Sequence, residues 1–187
     1  MKSNIKKNES KLKQNYIMAE IEMKDDDINE EIRIINSYDN MKKNYGWDDD
    51  DKYYIKREYE DNENEIKKII VIKIDNEYLP SFTYFYKFKT SGIHIIQYSF
   101  KNNLSNANYL FSNCDHITKI DLSNFNSESL KSMVGMFSFC KALTYLNLSN
   151  FKIDKVKDFD NSKIFSQCNS LKKKNVITDN DRILKYV

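Results

Sequence analysis

The chain is most restricted by what it lacks. Its 187 residues include three glycines, one proline, three cysteines and two histidines. No glycine-rich loop is present to cradle a phosphate, and neither an H-E-x-x-H helix nor a D-x-D-x-D-G calcium loop occurs. With only His94 and His116 available, a nucleophile and base would need one of these rings beside a hydroxyl or thiol and a carboxylate. His94 alternates within an expected strand and His116 sits in a turn, so no catalytic residue is assigned and no enzyme is expected. An odd number of cysteines, all in the last half of the chain, is not a disulfide framework. No run approaches the ~18–20 apolar residues that cross a bilayer. The polar start MKSNIKKNESKLKQ is followed by no signal-like apolar stretch. The expected compartment is therefore the cytoplasm, with an extracellular location as the alternative. A net charge of +2 gives neither sign a surplus, which excludes nucleic acid and membrane insertion as the main modes of action.

What is abundant is Lys, Asn, Ile and Tyr. Residues 1–14 lack a periodic apolar face and read as a disordered basic tail. From Tyr16, YIMAEIEM alternates: Ile17, Ala19, Ile21 and Met23 share one face, Met18, Glu20 and Glu22 the other. EIRIINSY reads as a second strand, making a hairpin of residues 16–38. Residues 39–64 read as a long surface excursion, with Tyr45, Trp47, Tyr53, Tyr54 and Tyr59 as anchors and the acids Asp48–Asp51 exposed. The acids lack the glycine and terminal glutamate of a calcium loop. Strand signals resume over 66–74, turn at Asp75-Asn76-Glu77, and continue through YLPSFTYFYKFK and IHIIQYSF. Residues 15–100 are thus expected to form a small antiparallel β domain with no helix. Its aromatic residues Tyr84, Phe85, Tyr86, Phe88, Tyr98 and Phe100 are read as core and cross-strand pairs.

From residue 101 the chain repeats itself. LFSNCDHITKIDLSNF (110–125) returns as MFSFCKALTYLNLSNF (136–151), and a third copy, IFSQCNSLKKKNVI, covers 164–177. Phe111 and Phe137 are 26 apart, Phe137 and Phe165 28; Cys114, Cys140 and Cys168 keep the same intervals. Equal placement in successive units is what stacked, partly apolar thiols require, and no C-x-x-C suggests a metal site. No cofactor is expected. A period in the twenties signals a solenoid. Ile117-x-x-Ile120-x-Leu122, Leu143-x-x-Leu146-x-Leu148 and Leu171-x-x-Lys174-x-Val176 read as its parallel strands. SESLKSMVGMFSFC reads as a short packing helix capped by Ser127 or Ser129, with Gly135 giving room for close packing. DNDRILKYV is expected to close the last unit, so that 101–187 is a repeat array with its own cap.

The pattern M-F-x-x-C-x-x-L-x-x-L-x-L-S-N-F resembles the BspA-like class of leucine-rich-repeat proteins of bacterial surfaces and many protists, over roughly residues 94–177. Residues 65–100 resemble the β segment preceding such repeats in protist members. The resemblance implies a mixed α/β fold, a small antiparallel β domain followed by a short leucine-rich-repeat solenoid. It also implies a non-enzymatic adhesion or protein-interaction role. The residues that project between the buried strand positions are the candidate contacts for an unidentified protein partner: Lys119, Asp121 and Ser123; Tyr145, Asn147 and Ser149; Lys173 and Asn175. Tyr145 is the expected anchor, because aromatic side chains dominate interface energies. A monomer is expected, and a cell-surface adhesin is the alternative role.

Overall fold

The computed structural model describes residues 15–45, 61–156, 159 and 163–187. The expected tail at 1–14, the acids Asp48–Asp51 and the aromatics Trp47, Tyr53, Tyr54 and Tyr59 lie outside these residues.

Alternation creates the first strand, β1 (Tyr16–Met23), with Ile17, Ala19, Ile21 and Met23 buried and Glu22 exposed. It does not form the expected hairpin with the segment that follows. Ile32–Arg33 (β2) pairs instead with Phe85–Tyr86 (β5) in a separate two-stranded sheet. The stretch Ile32 to Ser37 runs under the main sheet, where Ile34 and Ile35 are fully buried and the Tyr98 hydroxyl donates to the Ile34 carbonyl. A run apolar on both faces has more to gain there than at a half-wet position beside β1.

Two helices also occur where none was expected. In α1 (Tyr38–Tyr45) the Ser37 hydroxyl caps the first turn, accepting from the Asn40 amide at 3.1 Å. For α2 (Glu63–Ile69) the cap comes from the other helix: Asp39 Oδ2 accepts from the amides of Asn62 and Glu63, both at 2.9 Å. Ile66 and Ile69 turn the same way into the core, and Lys67 bridges Glu63 one turn earlier at 2.8 Å. The β-branched run therefore begins as helix and becomes strand only at β3 (Ile70–Ile74).

With β4 (Glu77–Tyr78), β6 (Gly92–Phe100), β7 (Ile117–Asp121), β8 (Tyr145–Asn147) and β9 (Val176–Ile177), these strands make one seven-stranded sheet of order β4-β3-β6-β1-β7-β8-β9. Pairing is antiparallel from β4 to β7 and parallel from β7 to β9. β1 joins the two regimes because it pairs with both β6 and β7. A single cluster of buried side chains runs beneath the sheet from Ile74 to Val176 and Ile183.

This overturns the expected fold class. The repeats do not build a solenoid of strand and helix units beside a β domain; their strands continue the mixed sheet, and the segment read as a packing helix contains none. It is a series of four-residue turns, closed by Met136 N–H to Met133 O (3.2 Å), Ser138 N–H to Gly135 O (2.9 Å) and Cys140 N–H to Phe137 O (3.2 Å). Positive φ recurs in each tier at equivalent places: Tyr109 and Asn113, Gly135 and Phe139, Lys163 and Gln167. A left-handed residue every fourth position forbids an α-helix. Yet successive four-residue turns bring every third or fourth side chain to one side, which imitates helical spacing in the sequence. Gly135 fits both demands, since its φ is +57° and a Cβ there would lie 2.5 Å from Tyr109 Cε1.

The turns themselves stack tier on tier. Phe111 N–H donates to Met136 O (2.8 Å), Phe137 N–H to Ile164 O (3.1 Å), and the rings of Phe111, Phe137 and Phe165 lie nearly parallel at 6.0 and 5.7 Å. A second stack runs Phe100, Phe125, Phe151, at 4.9 and 6.0 Å. It carries the last antiparallel strand into the repeats. The third tier departs from the 28-residue interval in its strand. Residues Lys173–Asn175 form a 3₁₀ turn that takes up two residues, so Val176 pairs with Leu146 rather than Leu148, and Lys174 faces solvent. The C-terminus closes in a 3₁₀ turn, Ile183–Lys185, with Ile183 fully buried.

Candidate functional site

The inner face of the sheet is covered by helices and turns, whereas its outer face meets solvent. Register determines which side chains share that face, because direct cross-strand partners point the same way. One row crosses all seven strands in line: Tyr78, Lys73, Gln97, Met18, Asp121, Asn147 and Ile177. The next contains Ile95, Glu20, Lys119 and Tyr145. Beyond it lie Ile93 and Glu22.

The expected contacts fall partly into this surface. Lys119 and Tyr145 are direct neighbours, as are Asp121 and Asn147. Tyr145 is half-buried, and Lys119 Nζ is held 2.8 Å from Glu20 Oε2, which raises its pKa. Asp121 and Asn147 are largely engaged by the chain itself: each accepts a backbone amide two residues on, from Ser123 at 2.8 Å and Ser149 at 3.1 Å. Ser123 and Ser149 are half-buried in those turns. The shifted third strand brings Asn175, not Lys173, beside Tyr145, and the Asn175 amide donates to the Thr144 carbonyl at 3.0 Å. Lys173 is exposed in the 3₁₀ turn.

What sequence reasoning missed is the half of the face supplied by β1, β6, β3 and β4. Six large hydrophobic side chains are exposed among the described residues, and four of them, Tyr78 (69%), Ile93 (65%), Ile177 (45%) and Ile95 (38%), lie on this face. Glu20 and Glu22 separate Ile95 and Ile93 from the repeats, and the Lys73 ammonium sits 5.2 Å over the Tyr78 ring. The alternation of Met18, Glu20 and Glu22 in β1 was the available signal. It could not reveal that β1 borders the repeats.

A groove of about 520 Å³ lies where the strands of the tiers end, lined by Phe125, Ser127, Glu128, Phe151, Lys152 and Asp179 among others. Its polar groups serve the turns: Ser127 Oγ accepts from the Lys152 amide at 2.7 Å, Asn126 Oδ1 from the Glu128 amide at 3.0 Å, and Glu128 pairs with Lys152 at 2.9 Å. The groove is a product of the turns, and the open face is the stronger candidate.

The three cysteines are free and buried. The Cys140 thiol donates to the Phe111 carbonyl (3.0 Å) and the Cys168 thiol to the Phe137 carbonyl (2.8 Å), each reaching back one tier. No group of three or more His, Cys, Asp or Glu side chains among the described residues is arranged to hold a metal ion. No helix among them is long and apolar enough to cross a membrane.

A family model described as "Mycoplasma protein of unknown function, DUF285" matches residues 82–182. No curated protein and no solved structure matches the chain.

Proposed function

Since the chain belongs to the family described as Mycoplasma protein of unknown function, DUF285, with residues 82–182 carrying the family region, we propose a non-enzymatic interaction module that binds a protein partner through the open face of its sheet. The observation that carries this reading is where the exposed apolar side chains fall: Tyr78, Ile93, Ile95 and Ile177 all lie on the one face of the sheet that no element of the described chain covers. Ile93 and Ile95 lie two residues apart on β6 beside Glu22 and Glu20, with Tyr78 and Ile177 on the two edge strands, and exposed apolar side chains set among polar ones suit a contact site. Tyr145 lies between Lys119 and Asn175, where an aromatic ring is already half-desolvated and held by its neighbours. The likeness of the repeated motif to BspA-like proteins, regarded as adhesion or interaction modules, supports the same reading.

The experiment is affinity capture from the native cell followed by measurement of Kd for the partner recovered. Tyr145→Ala combined with Lys119→Glu, and separately Ile93→Asp, are each expected to weaken binding tenfold or more, about 1.4 kcal/mol or above. Unchanged affinity in both variants, with the circular dichroism of the folded protein retained, rules out the open face.

A further inference from the structure

The chain has two histidines, and both are gripped by acceptors at the same end of the sheet. His94 opens the buried face of β6 and packs against the Phe88 ring, centroids 4.7 Å apart. Its Nε2 lies 2.8 Å from the Thr90 carbonyl oxygen and its Nδ1 2.5 Å from Asp75 Oδ2. A neutral imidazole has one N–H and can satisfy only one acceptor; the protonated ring satisfies both. Asp75 uses its other oxygen to accept the Ile95 amide at 2.9 Å. One carboxylate thus fastens the β3–β4 turn to both the backbone and the ring of β6.

His116 precedes β7 in the same fashion. Nδ1 lies 3.3 Å from Asp115 Oδ1, and Nε2 3.6 Å from Asp27 Oδ1 in the turn that follows β1. Its carbonyl accepts the Glu22 amide at 3.3 Å. In the ladder His94 stands opposite Ile21, and Ile21 opposite Ile117, so the two rings flank one end of the central strand. The charges that face them are few. Asp75 faces His94; Asp115 and Asp27 face His116, with Lys24 acting on Asp27 and Lys141 on Asp115.

We infer that these contacts form a proton-dependent clasp: with both rings charged the end of the sheet carrying Ile93 and Ile95 is locked to the β3–β4 and β1–β2 turns, and with both neutral it loosens. The direction follows from the neighbours. Burial opposes charge on His94, but Asp75 and the Thr90 carbonyl outweigh it; at His116 the Asp115 hydrogen bond acts first, against partial burial. Both pKa values lie above the ordinary value of 6.5. Stability from a raised histidine is complete below its unfolded pKa, about 6.5, and is lost as pH rises through the folded value. The clasp therefore closes in mild acid and opens in base.

The test is hydrogen exchange of the full chain from pH 5.5 to 8.5, corrected for the intrinsic pH dependence of exchange and read over residues 75–78 and 92–95. Protection there is expected to fall by up to about tenfold per pH unit once the pH passes ~6.5. Asp75→Asn keeps an oxygen for the Ile95 amide and a residue that tolerates positive φ, but it lacks the charge; its protection is expected to be flat over the same range. A flat wild-type profile, or an Asp75→Asn profile with the wild-type slope, overturns the clasp. An independent check is NMR titration of the ring nitrogens, in which both histidines should titrate above ~6.5 and Asp27→Asn should lower His116. Titration of both wild-type rings at or below that value overturns it as well.

Discussion

Tyr109, Gly135 and Lys163 occupy the same place in three tiers and share φ values of 56°, 57° and 48°. Only one of them is a glycine, which is why the turns were hidden in the sequence: neither tyrosine nor lysine announces a left-handed backbone. At Gly135 the left-handed dihedral strains any Cβ and the 2.5 Å approach of Tyr109 leaves no room for one. Gly135→Ala should cost about 1–2 kcal/mol for the left-handed conformation and about 1–3 kcal/mol more for overpacking. Urea denaturation measures the sum, and the second part should disappear when Tyr109 is also made alanine. The cysteines were far more legible. Their matching place in each repeat announced a stack, and the Cys140 and Cys168 thiols do reach the carbonyls of the preceding tier. Burial pushes the Cys168 thiol up to about 11 and those of Cys114 and Cys140 higher still. Because the thiolate is the reactive form, the folded protein should react with a thiol reagent at pH 8 far more slowly than the same protein in denaturant; rapid labelling of three thiols in buffer would contradict the buried stack.

At the scale of the element, the 26-residue interval predicted the partners in β7 and β8 correctly: Lys119 with Tyr145, Ile120 with Leu146, Asp121 with Asn147. It misled for the third strand, where the 3₁₀ turn at 173–175 consumes two residues and alters which side chain faces Tyr145. The helix reading failed for a different reason. Leu130, Met133 and Phe137 have helical spacing, but their backbone runs through turns whose residues no single helix could accommodate. Since each tier covers the next, its position in the stack should set its energetic weight. Phe137 has rings on both sides and no exposure, whereas among the described residues Phe165 stacks on the Phe137 ring alone and is 8% exposed. Phe137→Ala is expected to cost about 3–5 kcal/mol, and Phe165→Ala measurably less. Equal losses in chemical denaturation would mean that the tiers do not depend on one another in this way.

For the whole molecule, the decisive feature is the placement of β1 between β6 and β7. Composition and periodicity identified β1 and β6 almost residue for residue. Nothing local could disclose a pairing such as Met18 with Asp121, since register across so long a separation is chosen by packing and leaves no pattern in either segment. Electrostatics is likewise a property of the assembled chain. Lys67, then Tyr84 and Lys43, hold the Glu63 carboxyl down to about 2 against the effect of burial. A lowered carboxylate adds stability above its unfolded pKa, about 4.5, that is lost as pH falls toward 2, while the raised histidines add stability that is lost above ~6.5. The urea midpoint should therefore be highest between about pH 4.5 and 6.5 and decline on both sides.

The central position of β1 also orders events during synthesis. β1 leaves the ribosome before either strand that flanks it, and at ~5–20 residues per second the chain needs roughly 5–20 s to extend from Met23 to Asp121. Until β6 is complete at residue 100 both edges of this strand are unpaired among other nascent chains, and the edge that takes β7 stays open to the end of the interval. Sheet formation is thus tied to the completion of β7, and a translational pause before residue 121 would lengthen the period in which the strand is open to the wrong neighbour.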